Sequence, residues 1–312
     1  MSKIKVIELF AGVGGFRVGL EGFPKKSSSK FKVVWSNQWE PGSKTQHANM
    51  VYRYHFGKSK SIHSEVDIKT INPAKIPKHD MLVGGFPCQD FSVGALNKLS
   101  KGLEGEKGTL WYQIRRILES NKRRGKPTKY ILLENVDRLL KCPVSLKGAD
   151  FLTILKNLNR MGYIVEWKVI NAGDYNMPQR RRRIFILGYH KSSDLYDEVK
   201  KSNELWLKAD GVLAKAFKSM YQETIKSNMK KMSEYKAFYK ERLTRDISKL
   251  SEFDKNTLLA QDKKILSPFQ NSGMLIEGKI ITYKHNPVPI KNTNPMKKFL
   301  ENKKKIDWKR TR

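Results

Sequence analysis

The sequence predicts an α/β protein whose sheet is wound from parallel strands. Three observations carry that expectation. Short β-branched and aromatic runs alternate with stretches of helical period from residue 4 to about residue 190. Polar and glycine-rich punctuation (AGVGG, NQWE, GGFPC, LLENV) follows the apolar runs, at the strand ends where such sheets gather ligands. The 312 residues are 39% hydrophobic, which is enough apolar material for a core.

The elements follow in order. KIKVIELFAGVGGFRVGLEGF reads as strand, tight glycine turn and helix, with an apolar helical stripe at Phe16, Val18 and Leu20. FKVVWSNQWEP is a second strand ending in polar and aromatic residues, and QHANMVYRYHF is a helix. HDMLVGGFP is a third strand, TLWYQIRRILES an amphipathic helix, and KYILLENV a buried strand followed by the helix DFLTILKNLNRMG. YIVEWKVIN and RRRIFILGYH close the series as strands. Beyond about residue 190 the composition shifts. Residues 191–265 are lysine-rich and read as mostly helical, SPFQNSGMLIEGKIITYKHNPVPI suggests a short hairpin, and the last residues are strongly basic. The expected division is therefore a domain over 1–190 and a smaller basic lobe over 191–312.

Sixty-two Lys and Arg against 30 Asp and Glu give a formal charge of +32. A chain this basic is expected to meet a polyanion, nucleic acid first, although scattered surface lysine contributes. Two cysteines exclude a disulfide framework and a multi-cysteine zinc site, and no metal is expected. No apolar run reaches the roughly 20 residues of a membrane span, and the first residues read as a strand instead of a signal peptide. The expected compartment is the cytoplasm, with no membrane partner.

Five motifs carry the chemistry. In FAGVGG, glycines 12, 14 and 15 either make a plain strand-to-helix turn or let a nucleoside approach the backbone. The spacing is not that of a dinucleotide fingerprint. In NQWE, polar side chains at a strand end suit ribose hydroxyls, and Trp39 is either a core residue or a stacking surface for adenine. Cys88, in GGFPCQDFS, is either a small buried hydrophobe or a thiolate nucleophile held out beyond a strand; Cys142 reads as structural. Glu134, in ENV, is either a helix cap or an acid beside a nucleophile from the next strand. In PQRRRR, strand alternation puts Gln179, Arg181 and Arg183 on one face and Arg180 and Arg182 on the other. One set then points into a site and the other outward, towards phosphates.

Taken together and in order, FAGVGGF, PCQDFS, GTLWYQI, ENV and NAGDYNMPQRRRR resemble the cytosine-5 DNA methyltransferase family, over residues 4 to about 190. The resemblance implies a Rossmann-like sheet that binds S-adenosylmethionine, a smaller C-terminal recognition lobe, and a double-stranded DNA substrate from which a cytosine is flipped. It implies that Cys88 attacks C6, that Glu134 holds or protonates N3, and that Gln179, Arg181 and Arg183 fix the base and nucleophile. For the cofactor it points to the loop Phe10, Ala11, Gly12, Val13, Gly14 and Gly15, to Asp67 and Ile68 near adenine, and to Pro87 and Leu110. The family's acidic residue before the aromatic at the second strand's end is Gln38 here, with Trp39 next and Glu40 after it, so the ribose contact falls to Gln38 or Glu40. The loop after Cys88 matches one that closes on DNA, with Ser92, Gly94, Lys98 and Lys101 suited to phosphate and groove contacts.

The family's last two motifs have no counterpart here; FQNSGMLI places Gly after Asn-Ser instead of before it. The expected function is thus a bacterial modification methyltransferase of a restriction–modification system. The alternatives are a catalytic subunit or fragment completed by a second chain, an inactive DNA-binding remnant, and a tRNA cytosine-5 methyltransferase.

Overall fold

The computed structural model describes residues 2–22, 28–57, 62–86, 110–142, 148–175, 177, 179–218, 244–246 and 269–287. Every strand described between residues 4 and 190 falls where alternating apolar runs place one, apart from a two-residue addition. Strand β1 (Ile4–Leu9) leads to helix α1 (Gly15–Glu21), β2 (Phe31–Asn37) to α2 (His47–Phe56), and β3 (His63–Ser64) is the short addition. Next come β4 (Met81–Gly85), α3 (Leu110–Arg123), β5 (Tyr130–Val136) and α4 (Ala149–Arg160). Strands β6 (Tyr163–Asn171) and β7 (Arg182–His190) precede α5 (Tyr196–Ser202), a π-helical turn (Trp206–Asp210) and α6 (Val212–Ala216). The last strands are β8 (Thr244–Asp246), β9 (Ser272–Ile276) and β10 (Lys279–Tyr283).

All ten strands form one sheet in the order β3-β2-β1-β4-β5-β7-β6-β9-β10-β8. The first five pair in parallel, as expected. From β7 onward every pairing is antiparallel, and short connections without a crossover helix join β6 to β7 and β9 to β10. The expected hairpin forms as β9–β10 around Glu277 and Gly278, both at positive φ. It pairs along β6 in the same sheet, although it lies past the expected boundary at 190. FQNSGMLI is therefore strand β9 with its lead-in. Thr244–Asp246, inside the stretch read as helical, is strand β8 paired with β10. Most of the rest of that stretch lies outside the described residues.

The sheet is covered on both faces. Trp111, Ile114, Phe151, Leu155, Trp167 and Leu275 lie in the core under α3 and α4. On the other face Val6, Val33, Met81 and Val83 sit under α1, and Tyr189, Trp206, Leu213 and Met274 pack with the last helices. Cys142 is a buried thiol in the first core. The stripe expected on α1 is only half right. Phe16 and Leu20 pack on the sheet, but Val18 is exposed and the buried residues are Arg17 and Glu21. These two pair at 3.0 Å beneath the turn. Two charges are tolerated there because each is satisfied. Arg17 donates to the Tyr52 hydroxyl at 3.2 Å, and Glu21 accepts the Val33 amide at 2.8 Å.

Candidate active site

The parallel strands β1, β2, β4 and β5 all point their carboxyl ends to one rim, and the motif residues collect there. At the end of β1 the chain turns sharply, with Phe10 at φ 52, Gly12 at 54 and Gly14 at 92. A side chain at Gly14 would put its Cβ 2.3 Å from the Phe56 ring, so Phe56 seals the turn from behind. The Arg17 guanidinium lies over that ring, 4.6 Å from its centre. Gly12 and Gly15 instead present bare backbone to open space. Val13 is exposed and Ala11 buried.

Beneath the turn sits Glu8, fully buried in β1. It accepts the Tyr52 hydroxyl at 3.0 Å and the Arg17 amide at 3.3 Å. Burial pushes its carboxyl up to about 7 against these hydrogen bonds.

The end of β2 stitches the neighbouring loops together. The Asn37 carbonyl accepts the Ala11 amide at 3.0 Å, and its side chain donates to the Val66 carbonyl at 2.9 Å. Gln38 is buried, and its Oε1 accepts the Gly12 amide at 2.7 Å. Trp39 is half-buried and Glu40 exposed. Gln46 pins the Glu40 backbone through its amide and its carbonyl, at 2.7 and 2.8 Å. Asp67 shapes its own turn by accepting the Lys69 amide at 3.0 Å. Ile68 is buried in the core, and Arg116 holds its carbonyl at 2.9 Å. Leu110 opens α3 and packs on the same core.

On β5, Glu134 lies in register between Gly85 of β4 and Phe185 of β7. Arg183, diagonal to it on β7, donates from Nε to Glu134 Oε1 at 2.7 Å. The other carboxylate oxygen lies over Gly85, 2.9 Å from where a Cβ would stand. Arg182 turns to the opposite side and pairs with Asp137 at 2.9 Å. The alternation expected along the arginines therefore holds for Arg182 and Arg183. Arg181 and Gln179 precede the strand, are exposed, and are not brought onto Glu134. The Arg181 carbonyl closes the loop by accepting the Ala172 amide at 2.9 Å.

Pro87, Cys88, Ser92, Gly94, Lys98 and Lys101 lie outside the described residues. Phe86, which leads into them, is buried beside Trp111, and Asn135 donates to its carbonyl at 3.4 Å. Asn135 was quoted within ENV without a role; it ties the β4 end to the β5 end. Tyr52 has no role in the sequence reading, and Asn37, offered within NQWE for a ribose, instead bonds the Val66 carbonyl. A signal was present in IKVIEL, where one carboxylate interrupts an apolar run and so demands buried donors. Among the described residues no cluster of three His, Cys, Asp or Glu could hold a metal ion. No helix among them is long and apolar enough to cross a membrane.

Compared with known proteins, residues 4–312 match the family model described as C-5 cytosine-specific DNA methylase. The type II methyltransferase M.Sau3AI of Staphylococcus aureus is 46% identical over 220 residues, 70% of this chain and 51% of that protein. M.HaeII of Haemophilus aegyptius is 38% identical over 189 residues, 61% of this chain and 51% of that protein. The chain thus spans about half the length of these curated relatives. Among solved structures, the Entamoeba histolytica methyltransferase EhMeth aligns with a TM-score of 0.47 at 20% identity, over 61% of this chain and 53% of that one.

Proposed function

The chain belongs to the C-5 cytosine-specific DNA methylase family, and from that premise we propose that it methylates C5 of a flipped-out cytosine in double-stranded DNA. The observation that carries this reading is the Glu134–Arg183 pair, set at 2.7 Å on the rim where β4 runs towards Cys88. S-adenosylmethionine supplies an electrophilic methyl group. The residues present suit it: the bare backbone of Gly12 and Gly15 opens a cradle, Trp39 offers a ring face, and Asp67 and Glu40 offer carboxylates. Gln38 already accepts from Gly12, so its oxygen shapes the cradle, and Glu40 is the side chain we assign to the ribose.

In the proposed reaction the Cys88 thiolate forms a bond to C6, and the ring electrons shift towards C5. Glu134 meets the N3 edge and stabilises the added proton or hydrogen bond there, while Arg183 fixes its carboxyl. C5 would take the methyl group as its bond to the sulfonium sulfur breaks, the electron pair staying on sulfur as a neutral thioether. Loss of the C5 proton then expels the thiolate. Gln179 and Arg181, exposed at the loop before β7, face the DNA side in this reading. Ser92, Gly94, Lys98 and Lys101 are the residues we assign to phosphate and groove contacts. The host system is a bacterial restriction–modification pair acting in the cytoplasm.

The test is covalent trapping. The chain is incubated with S-adenosylmethionine and duplex DNA carrying 5-fluorocytosine, where fluorine blocks the final elimination. A denaturation-stable protein–DNA adduct, lost in Cys88→Ser, is expected. DNA binding without an adduct would sink the self-sufficient reading and favour one in which a second subunit completes the site.

A further inference from the structure

The loop between β6 and β7 carries Gln179 and Arg181 and delivers Arg183 to Glu134. Its backbone bonds are mostly internal: Ala172 to Arg181 at 2.9 Å, Met177 to Ala172 at 3.2 Å, Gln179 to Met177 at 2.8 Å. Among the described residues these bonds close the loop on itself. A side-chain tie to the body comes from Tyr175, whose hydroxyl meets His285 Nε2 at 3.0 Å across 110 residues of sequence. The Tyr175 ring also stands edge-on to Phe217 at 5.1 Å, and Phe217 stacks on Phe185, the register partner of Glu134.

His285 is well held in turn. It follows β10, is 3% exposed, and forms a closed pair with Asn271. Its amide donates to Asn271 Oδ1 at 2.7 Å, and its carbonyl accepts from Asn271 Nδ2 at 2.8 Å. The Asn271 carbonyl takes the Val169 amide of β6 at 2.7 Å. Burial and the nearby Lys168 push the imidazole down to about 3, so the tie is a neutral hydrogen bond at any working pH. The Asn271 bonds hold the backbone of residue 285, and the imidazole, thus placed, bonds through Nε2 to Tyr175 while its buried Nδ1 has no partner among the described residues.

We propose that His285 is a positioning residue for methyl transfer: through Tyr175 it anchors the arginine-bearing loop to the β9–β10 hairpin, so that the C-terminal segment sets the Glu134–Arg183 geometry. This rests on the functional reading above for its consequence, though not for the tie itself. The tie has a test of its own. Hydrogen exchange at the Ala172 and Met177 amides is compared in the full chain, in Tyr175→Phe, in His285→Gln and in the double variant. Each single change should speed exchange about tenfold, the worth of one ordinary hydrogen bond, and the double variant should add nothing further. In single-turnover methylation the rate should fall by a similar factor with the dissociation constant for S-adenosylmethionine unchanged.

Tyr175→Phe removes one oxygen from a half-buried ring, so it remains informative if His285→Gln fails to fold. Unchanged exchange at both amides overturns the anchor, as does a fall in melting temperature alone. A wild-type chain that forms no 5-fluorocytosine adduct overturns the functional reading instead, and leaves the exchange result to decide the tie.

Discussion

Gly85→Ala separates the fold from the chemistry. Gly85 closes β4, in register with Glu134, and an alanine Cβ would stand 2.9 Å from Glu134 Oε2. A relaxed carbon–oxygen contact needs about 0.4 Å more. The carboxylate is the far end of a flexible, partly exposed side chain, so it swings aside at little cost to folding. Gly85 is not among the glycines at positive φ, and alanine in a strand recovers chain entropy. Stability should therefore hold or rise slightly.

The displaced carboxylate, however, must lengthen or tilt its 2.7 Å bond to Arg183 and, in the proposed reaction, retreat from the N3 edge of the ring. Since a misplacement of about 1 Å can cost 10²-fold, a shift of about half that predicts a loss near tenfold in single-turnover rate. Gly84→Ala is the internal control. There the Cβ would meet the Leu9 backbone carbonyl at 2.6 Å, which cannot swing away, so the protein should lose about 1–3 kcal/mol by overpacking. The assay is single-turnover methylation beside thermal melting. A Gly85→Ala protein with wild-type rate, or one that loses stability as Gly84→Ala does, would refute the placement of Glu134.

Arg183→Ala should reduce the methylation rate by 10²-fold or more, whereas Arg182→Ala, which removes an exposed guanidinium from the half-buried Asp137, should leave it within about threefold. Gln38→Leu should weaken S-adenosylmethionine binding in calorimetry about tenfold, because the Gly12 amide loses its acceptor; equal affinity would show that the loop holds its shape unaided. The third concerns pH. Glu166 is fully buried in β6 under the Tyr189 hydroxyl at 2.5 Å, and burial pushes its carboxyl from 4.5 to about 7. The folded state then keeps a proton that the unfolded state has released, so stability falls as pH rises from about 4.5 to about 7, by up to about 3 kcal/mol. Lys168, pushed down to about 8 by burial, acts in the opposite direction only above that pH. Melting of Glu166→Gln at pH 5 and pH 7.5 should show a smaller fall than wild type, and an equal fall would remove Glu166 from the explanation.

What was legible in the sequence was local. The turn after β1, the strand carrying Glu134 and the alternation of Arg182 against Arg183 depend on residues a few positions apart, and pattern alone places them. What was not legible depends on partners far along the chain. Nothing near Arg17 announces that it turns inward, because its partners include Tyr52, 35 positions away. The sequence leaves the ribose to Gln38 or Glu40, and carries no sign that the Gln38 oxygen accepts from Gly12, 26 positions away. The arginine run was read as one strand, yet only Arg182 and Arg183 belong to it, since the Ala172–Arg181 bond closes the loop first. The hairpin's shape was readable from its turn, but its docking on β6 was not, because a strand pattern carries no address.

That docking has a topological consequence. Helix α6 ends on the face that holds Leu213, whereas Phe269 enters the opposite core against Phe151 and Trp167. Lys218 and Phe269 thus lie on opposite faces of the sheet, and Thr244–Asp246, between them in sequence, is its outermost strand beyond β10. Both ends of the excursion are moored to the antiparallel half, far from β1 and its glycine turn. A change of sequence between those moorings leaves the strands that hold Glu134 and Arg183 threaded as they are. The strands at the rim and the stretch between Lys218 and Phe269 are, in that sense, separately replaceable parts on one continuous lattice.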